Sequence, residues 1–330
     1  MDQVSTQQTK KISNAAQGER LQSPVKKTFA HRLAQCVKRY YWLYIFVIPM
    51  LVWYIIFHYI PMGGIVIAFK NYKGYEPTVW DAKWVGMKYF VKFFESPYFW
   101  RLIRNTLTIS LYGLATFPLP IIVALFFNEL RSAKFKRFAQ TIMYAPHFIS
   151  IVVLVSMLQL FFSTEYGMVN HLIEALGGEA YSFMIEEEAY PHMYVWSGVW
   201  QALGWSCIIY IAALSSVDPG LHEAAKLDGA SRLQRIWHIN LPTILPTIVI
   251  TFIMKVGQIM TVGADKVLLM RNDLNIAVSE VISTYTYEVG LLSQNYGYGA
   301  AVGLFTNVIN LVMLLIVNFV SAKLSDTSLF

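Results

Sequence analysis

The chain has 330 residues, 56% hydrophobic and only 14% charged, with a net charge of +6 and a mean hydropathy of +0.46. Soluble globular chains are about 25% charged, so these charges are too few to cover a soluble protein of 37.7 kDa. The apolar residues also come in long blocks, which excludes a soluble enzyme, a disordered chain and a transmembrane β-barrel, and leaves an all-α polytopic membrane protein.

Residues 1–40 read as a cytoplasmic basic tail rich in Gln, Ser, Thr and Lys. Lys26, Lys27, Arg32, Lys38 and Arg39 suit either a topology signal or contact with anionic lipid, and we take the first reading. No small-residue cleavage site follows, so the first apolar run is expected to be a retained span. A span needs about 20 apolar residues. Six runs qualify, at 41–60, 105–127, 139–162, 194–214, 241–262 and 297–320, and none contains Asp or Glu. Residues 41–104 then comprise the first span, a segment on the outer side, and over 84–101 a helix lying in the membrane interface. Residues 105–320 make the core, and 321–330 a short C-terminus.

Charge sets the orientation. With the N-terminus inside, sixteen Lys and Arg fall on the cytoplasmic side and nine on the outer side, with Lys255 inside a span. Both termini are therefore expected in the cytoplasm. The excess of basic residues is explained by this bias, and no nucleic-acid partner is inferred. Cys36 and Cys207 lie in a tail and a span, so no disulfide is expected. The sequence has no phosphate-binding loop, no metal-ligand constellation and no nucleophile elbow. The chain is accordingly read as not an enzyme, with no cofactor or metal of its own. The spans also lack the carboxylates that coupled carriers use for their relays.

The connection at 215–240 is the most informative stretch. Asp218 is placed to cap a helix with Pro219 in its first turn. Gly229 suits a left-handed turn that ends the helix, and Ser231 suits the cap of a second. The stretch reads Glu223-Ala224-Ala225, three residues ending in Asp228, Gly229, nine residues, Ile239, one residue, then Leu241-Pro242. That pattern resembles the signature of permease subunits of binding-protein-dependent ABC importers. The resemblance implies the type I importer permease fold with six transmembrane helices. It implies that Glu223, Ala224, Ala225, Asp228, Gly229, Ile239, Leu241 and Pro242 belong to a coupling helix and its flank, docked on an ATPase. It also implies the partners: a second homologous permease subunit, two ATPase subunits that bind ATP and Mg, and an extracellular sugar-binding lipoprotein. Gly86-Met87-Lys88-Tyr89-Phe90, Asn105-Thr106-Leu107, Ile67-Ala68-Phe69-Lys70 and Ser321-Ala322-Lys323-Leu324 are similar to the carbohydrate branch, in particular to oligosaccharide permeases of Gram-positive bacteria. The function implied is import of a carbohydrate, an oligosaccharide, across the cell membrane, driven by separate ATPases. The alternatives are import of another solute by the same kind of machine, or a secondary carrier.

Polar and aromatic groups inside spans are expensive in lipid and should face a pathway or a neighbouring helix. The candidates for a sugar pathway are Tyr144, His147, Trp200, Gln201, Trp205, Tyr210, Lys255, Gln258, Asn307 and Asn310. Gln258 and Asn307 lead, because the family's cavities use the middle of the last two spans. Asn307 and Asn310 share a helix face. Gly299 and Gly303 are expected to serve close packing elsewhere on that span.

Overall fold

The computed structural model describes residues 38–325 and 328–329. Most of the basic tail, Cys36 included, and Asp326, Thr327 and Phe330 lie outside the described residues. The chain divides into two units, one ending at Gly64 and one beginning at Ile65.

The first unit is a helical run. Helix α1 (Tyr41–Tyr54) passes through a wide turn at Ile55–Tyr59 into Ile60–Met62. The stretch carries no Asp, Glu, Lys or Arg. In lipid a helix satisfies every backbone N–H and C=O within its own segment. The run Tyr41–Phe69 is long and apolar enough to cross a membrane.

In the second unit, α2 (Lys88–Phe94) buries Tyr89, Phe90 and Phe93 and leaves Val91 and Phe94 exposed. The interfacial helix expected over 84–101 is thus shorter, and the next helix starts earlier than expected. Ser96 precedes Pro97, and a residue before proline is kept out of the α region. The chain turns there and α3 (Phe99–Ala115) begins, with Asn105 well inside it. Pro118 and Pro120 fall in the first turn of α4 (Pro118–Glu129). The missing N–H of Pro118 removes no bond at that position, and Phe99–Glu129 together form one span.

The third span differs from expectation. The apolar run over 139–162 is not one rod but α5 (Ala133–Tyr144) and α6 (Ile151–Phe161), bent by 97°. Pro146 sits in a tight turn at Ala145–Phe148. Ile149 and Ser150 are extended, and the Ser150 hydroxyl accepts the Val153 N–H at 3.3 Å to start the new helix. The described residues hold five helices able to cross a membrane, and this bent pair makes a sixth when its arms are taken together.

Helix α7 (Met168–Ala175) lies in the following connection, and α8 (Ala189–Leu214) is the next span. The 215–240 connection forms α9 (Pro219–Leu227) and α10 (Arg232–Arg235). Next comes α11 (Leu241–Val256), shorter than the run to 262 that hydropathy suggests. Short helices α12 (Ala264–Met270), α13 (Ile276–Ser279) and α14 (Ile282–Thr286) lead to α15 (Tyr296–Ser325).

Three apolar clusters hold the second unit together. One joins α2, α3 and α15 through Phe93, Leu102 and Tyr298. One joins α3, α6, α8 and α12 through Ile109, Val155, Tyr190 and Val267. The third joins α4, α8 and α11 through Ala124, Cys207 and Ile244. Cys207 is a free, buried thiol. Glycines set two of the closest approaches. A Cβ at Gly204 would lie 2.0 Å from the Met143 carbonyl oxygen, so α8 and α5 meet there nearly backbone to backbone. Gly299 meets Gly290 in the same way, its Cβ position 2.6 Å from the Gly290 Cα, whereas Gly303 faces open space.

Candidate functional site

Two features stand at different places on the second unit. The first is the loop between α8 and α11. Asp218 accepts the Gly220 N–H at 2.8 Å and caps α9, with Pro219 at its first position. Gly229 takes φ +77°, a conformation that favours glycine, and the Ala230 N–H closes back on the Ala225 carbonyl at 2.8 Å. Ser231 and Gln234 form a reciprocal capping box on α10. These caps make a rigid helical hairpin from a short polar stretch.

Its outer surface is apolar in an unusual place. Leu227 is 89% exposed, Leu233 77% and Trp237 67%. Glu223, Ala224 and Asp228 are exposed beside them. Of the flanking motif residues, Ile239 and Leu241 are half-buried and Pro242 is exposed in the first turn of α11. Arg235 reaches across to Glu129 at the end of α4, at 3.7 Å, and donates to the Ala230 carbonyl at 3.3 Å. Both ion-pair partners are largely buried, so the hairpin is tied to the end of the second span, Phe99–Glu129. The sequence reading missed this tie, because nothing local links residues 129 and 235. It also passed over Asn240, whose buried amide has no hydrogen-bond partner among the described residues.

The second feature is a cavity of about 630 Å³ between α3, α8 and α11, within the roughly 300–1,000 Å³ typical of ligand sites. Of the ten residues proposed for a pathway, it brings together Gln201, Tyr210, Lys255 and Gln258. Thr251, Ser206 and Ser110 add neutral hydroxyls to its wall. Tyr210 is fixed by a 2.9 Å hydrogen bond to Thr251, and Gln201 donates to the Ile149 carbonyl at 2.7 Å. Lys255 and Gln258 are exposed.

The other six lie outside this lining. His147 stacks on Trp205, centroids 4.4 Å apart and planes 6° from parallel, which braces the α5–α6 break against α8. Trp200 lines a separate, mostly apolar cleft with Phe161 and His192. Tyr144 ends α5 and is half-buried. Asn307 is exposed on α15. Asn310 is buried: its Oδ1 accepts the Met260 N–H at 2.9 Å and its Nδ2 donates to Thr261 at 2.9 Å. It ties the turn after α11 to α15. Two asparagines on one helix face therefore have different surroundings.

The cavity also holds Lys266, which the sequence reading placed in a connection outside the spans. Its ammonium donates to the Tyr194 carbonyl at 2.7 Å and lies 4.6 Å from the centre of the Tyr194 ring. Burial lowers its pKa to about 8, since low-dielectric surroundings disfavour the charged form.

Residues 116–326 match the family model described as binding-protein-dependent transport system inner membrane component. The chain belongs to this family of ABC importer permeases. The permease is 42% identical to protein LplB of Bacillus subtilis over 295 residues, covering 89% of this chain and 92% of that one. It is 40% identical over 290 residues to the Bacillus subtilis polygalacturonan/rhamnogalacturonan transport system permease protein YteP, covering 88% and 90%. In three dimensions it is similar to a chain of a bacterial alginate ABC transporter solved in complex with a periplasmic protein bound to alginate pentasaccharide. The TM-score is 0.82 at 37% identity, over 90% of this chain and all of that one. These likenesses accord with the helical permease fold and the multi-pass membrane location expected from the sequence.

Proposed function

We propose that this permease carries oligosaccharides through the cavity between α3, α8 and α11, and that the α9–α10 hairpin couples the movement to ATP hydrolysis in separate subunits. The observation that carries the reading is the hairpin. Residues Glu223 to Pro242 hold the importer signature in a rigidly capped form, and leucine and tryptophan side chains stand exposed on it. A fully buried Leu contributes about 1.5–3 kcal/mol, so such a surface suits a docked partner. The carbohydrate relatives and the cavity's hydroxyl and amide groups support a sugar as cargo.

In this reading the permease pairs with a second, homologous permease, each supplying half of the pathway. Two ATPase subunits dock on the hairpins and bind the nucleotide and its Mg. A sugar-binding lipoprotein delivers the cargo from outside, and this chain carries no catalytic residue. ATP-driven closure of the ATPases moves each hairpin as a rigid body, and the Glu129–Arg235 tie passes that movement to α4. The termini and the hairpin lie in the cytoplasm, an orientation that the distribution of Lys and Arg supports.

The test is reconstitution of the permease with the binding protein, second permease and ATPase of the same organism. Sugar-stimulated ATP hydrolysis and uptake are expected, and both are lost on Leu227→Glu. Cysteines placed at Glu187 and Asp228 should label from opposite sides of sealed cells. Uptake without any associated ATPase would overturn the reading.

A further inference from the structure

We propose that Lys255 and Lys266 make the cavity an anion-binding site, and that the cargo is a carboxylated, uronate-bearing oligosaccharide rather than a neutral one. This rests on the translocation role proposed above and names the chemical class it serves.

The argument begins with charge. The cavity lining contains Lys255 and Lys266 and no Asp or Glu. Elsewhere in the second unit three partly buried arginines meet carboxylates, while the buried Lys70 donates to the Trp80 carbonyl at 2.7 Å. Arg101 pairs with Glu280, Arg271 with Glu288, and Arg235 with Glu129. Among the described residues neither cavity lysine has such a partner. Lys255 sits in the last turn of α11, at the end away from the docking hairpin, with its side chain exposed. Lys266 is only 7% exposed. A cation taken out of water without a counter-ion is costly. The Tyr194 carbonyl and ring meet one side of the ammonium, but an ammonium has three donors. Gly198 leaves room at another side, since a Cβ there would lie 3.3 Å from Nζ. A carboxylate on the cargo answers the buried Lys266, and Lys255 on the same wall attracts a second one.

The rest of the wall suits the rest of such a ligand. Ser110, Ser206, Thr251 and Gln258 offer neutral hydrogen-bonding groups for sugar hydroxyls. Ile109, Phe117 and Ile259 offer apolar surface for ring faces. A site with two fixed cations also discriminates against an uncharged isostere, because filling it with neutral sugar removes water from the ammoniums and gives no charge in return.

The experiment uses the assembled permease–ATPase complex without its binding protein, so that only the cavity selects. Binding of trigalacturonate and of its neutral trimethyl ester is measured by equilibrium dialysis at pH 7. The acid is expected to bind at least about tenfold tighter, a difference of roughly 1.4 kcal/mol, and raised salt should narrow the gap. Lys255→Gln should reduce the preference severalfold, and Lys255→Arg should retain it. Lys266→Gln is the companion, but its buried position puts folding at risk, so Lys255 and the ester comparison carry the test. Equal binding of acid and ester would overturn the inference. So would an assembled Lys255→Gln complex that keeps its acid preference, or one that falls apart into subunits, which would assign the lysine to a subunit interface. The readings fail separately: uptake of neutral oligosaccharides by the full system, with no acid preference, sinks this inference alone. Absence of ATP-dependent uptake of any oligosaccharide sinks the transport reading itself.

Discussion

Asn310 gives the sharpest test of how the bundle is held. The last helical turn of α11 ends at Val256, and Gly257 to Thr261 cross toward the next element without a regular ladder. The Met260 N–H in that crossing is received by Asn310 Oδ1 at 2.9 Å, and Met260 is 3% exposed. Asn310→Ala leaves that N–H buried and unpaired, which costs about 1–3 kcal/mol. The second bond, to Thr261, matters less, because Thr261 is exposed and water replaces the lost donor. A total near 2 kcal/mol corresponds to a fall of roughly 4–8 °C in unfolding midpoint, at about 2–4 °C per kcal/mol for a domain of 150–250 residues. The assay is thermal unfolding of the purified complex, with Asn307→Ala and Thr261→Val in parallel. Asn307→Ala should leave the midpoint unchanged, and Thr261→Val should lower it by less than about half as much. An Asn310→Ala complex that melts with the wild type but loses sugar uptake would refute the tie and return Asn310 to the pathway.

Three other outcomes are expected. Gly204→Ala should prevent normal assembly, since its Cβ would sit 2.0 Å from the Met143 carbonyl oxygen and the helices must move apart; such overpacking costs about 1–3 kcal/mol, and normal membrane yield and stability would contradict it. Reversing one partner of the Glu129–Arg235 pair should uncouple ATP hydrolysis from uptake, and the double variant Glu129→Arg with Arg235→Glu should restore part of it; equal uptake in all three variants would remove the pair from coupling. Trigalacturonate binding should weaken as pH rises from 7 to 9. Lys266 is charged below its lowered pKa of about 8 and loses its proton above it, while sugar carboxylates stay ionised throughout. Tyr194 is the titratable group in contact with Lys266, and α6 and α14, which pack on α12, bring no charged side chain to it. A flat profile for the acid, parallel to that of the ester, would contradict this origin.

Much of this was legible in the sequence, and the failures share a cause. Apolar runs mark spans because lipid demands continuous helices, so the count of crossings follows from hydropathy alone. The hairpin at 215–240 was legible because every cap in it is local: Asp218 acts on Gly220, Ser231 on Gln234, and Gly229 on the turn it occupies. The 97° break was not, since proline does not by itself stop a span. Pro246 lies within a continuing α11, whereas Pro146 sits in a turn that His147 braces against Trp205, 58 residues further along the chain. What Asn310 and Lys266 touch was hidden for the same reason. Their partners, Met260 and Tyr194, are 50 and 72 residues away, and no periodicity in the sequence encodes such contacts.

The unpaired lysines have a bearing on the empty transporter. A membrane that holds a voltage cannot tolerate a passage that conducts sodium, potassium or hydronium between turnovers. Fixed positive charge is one way a pore turns inorganic cations back. A cation about 8 Å from one ammonium is repelled by about 2 kcal/mol at an effective dielectric constant near 20, and two lysines in one cavity add their fields. The charge that receives an acidic sugar thus also insulates the membrane while no sugar is there. Lys255→Gln should raise the resting cation conductance of reconstituted vesicles even where ATP hydrolysis is unaltered.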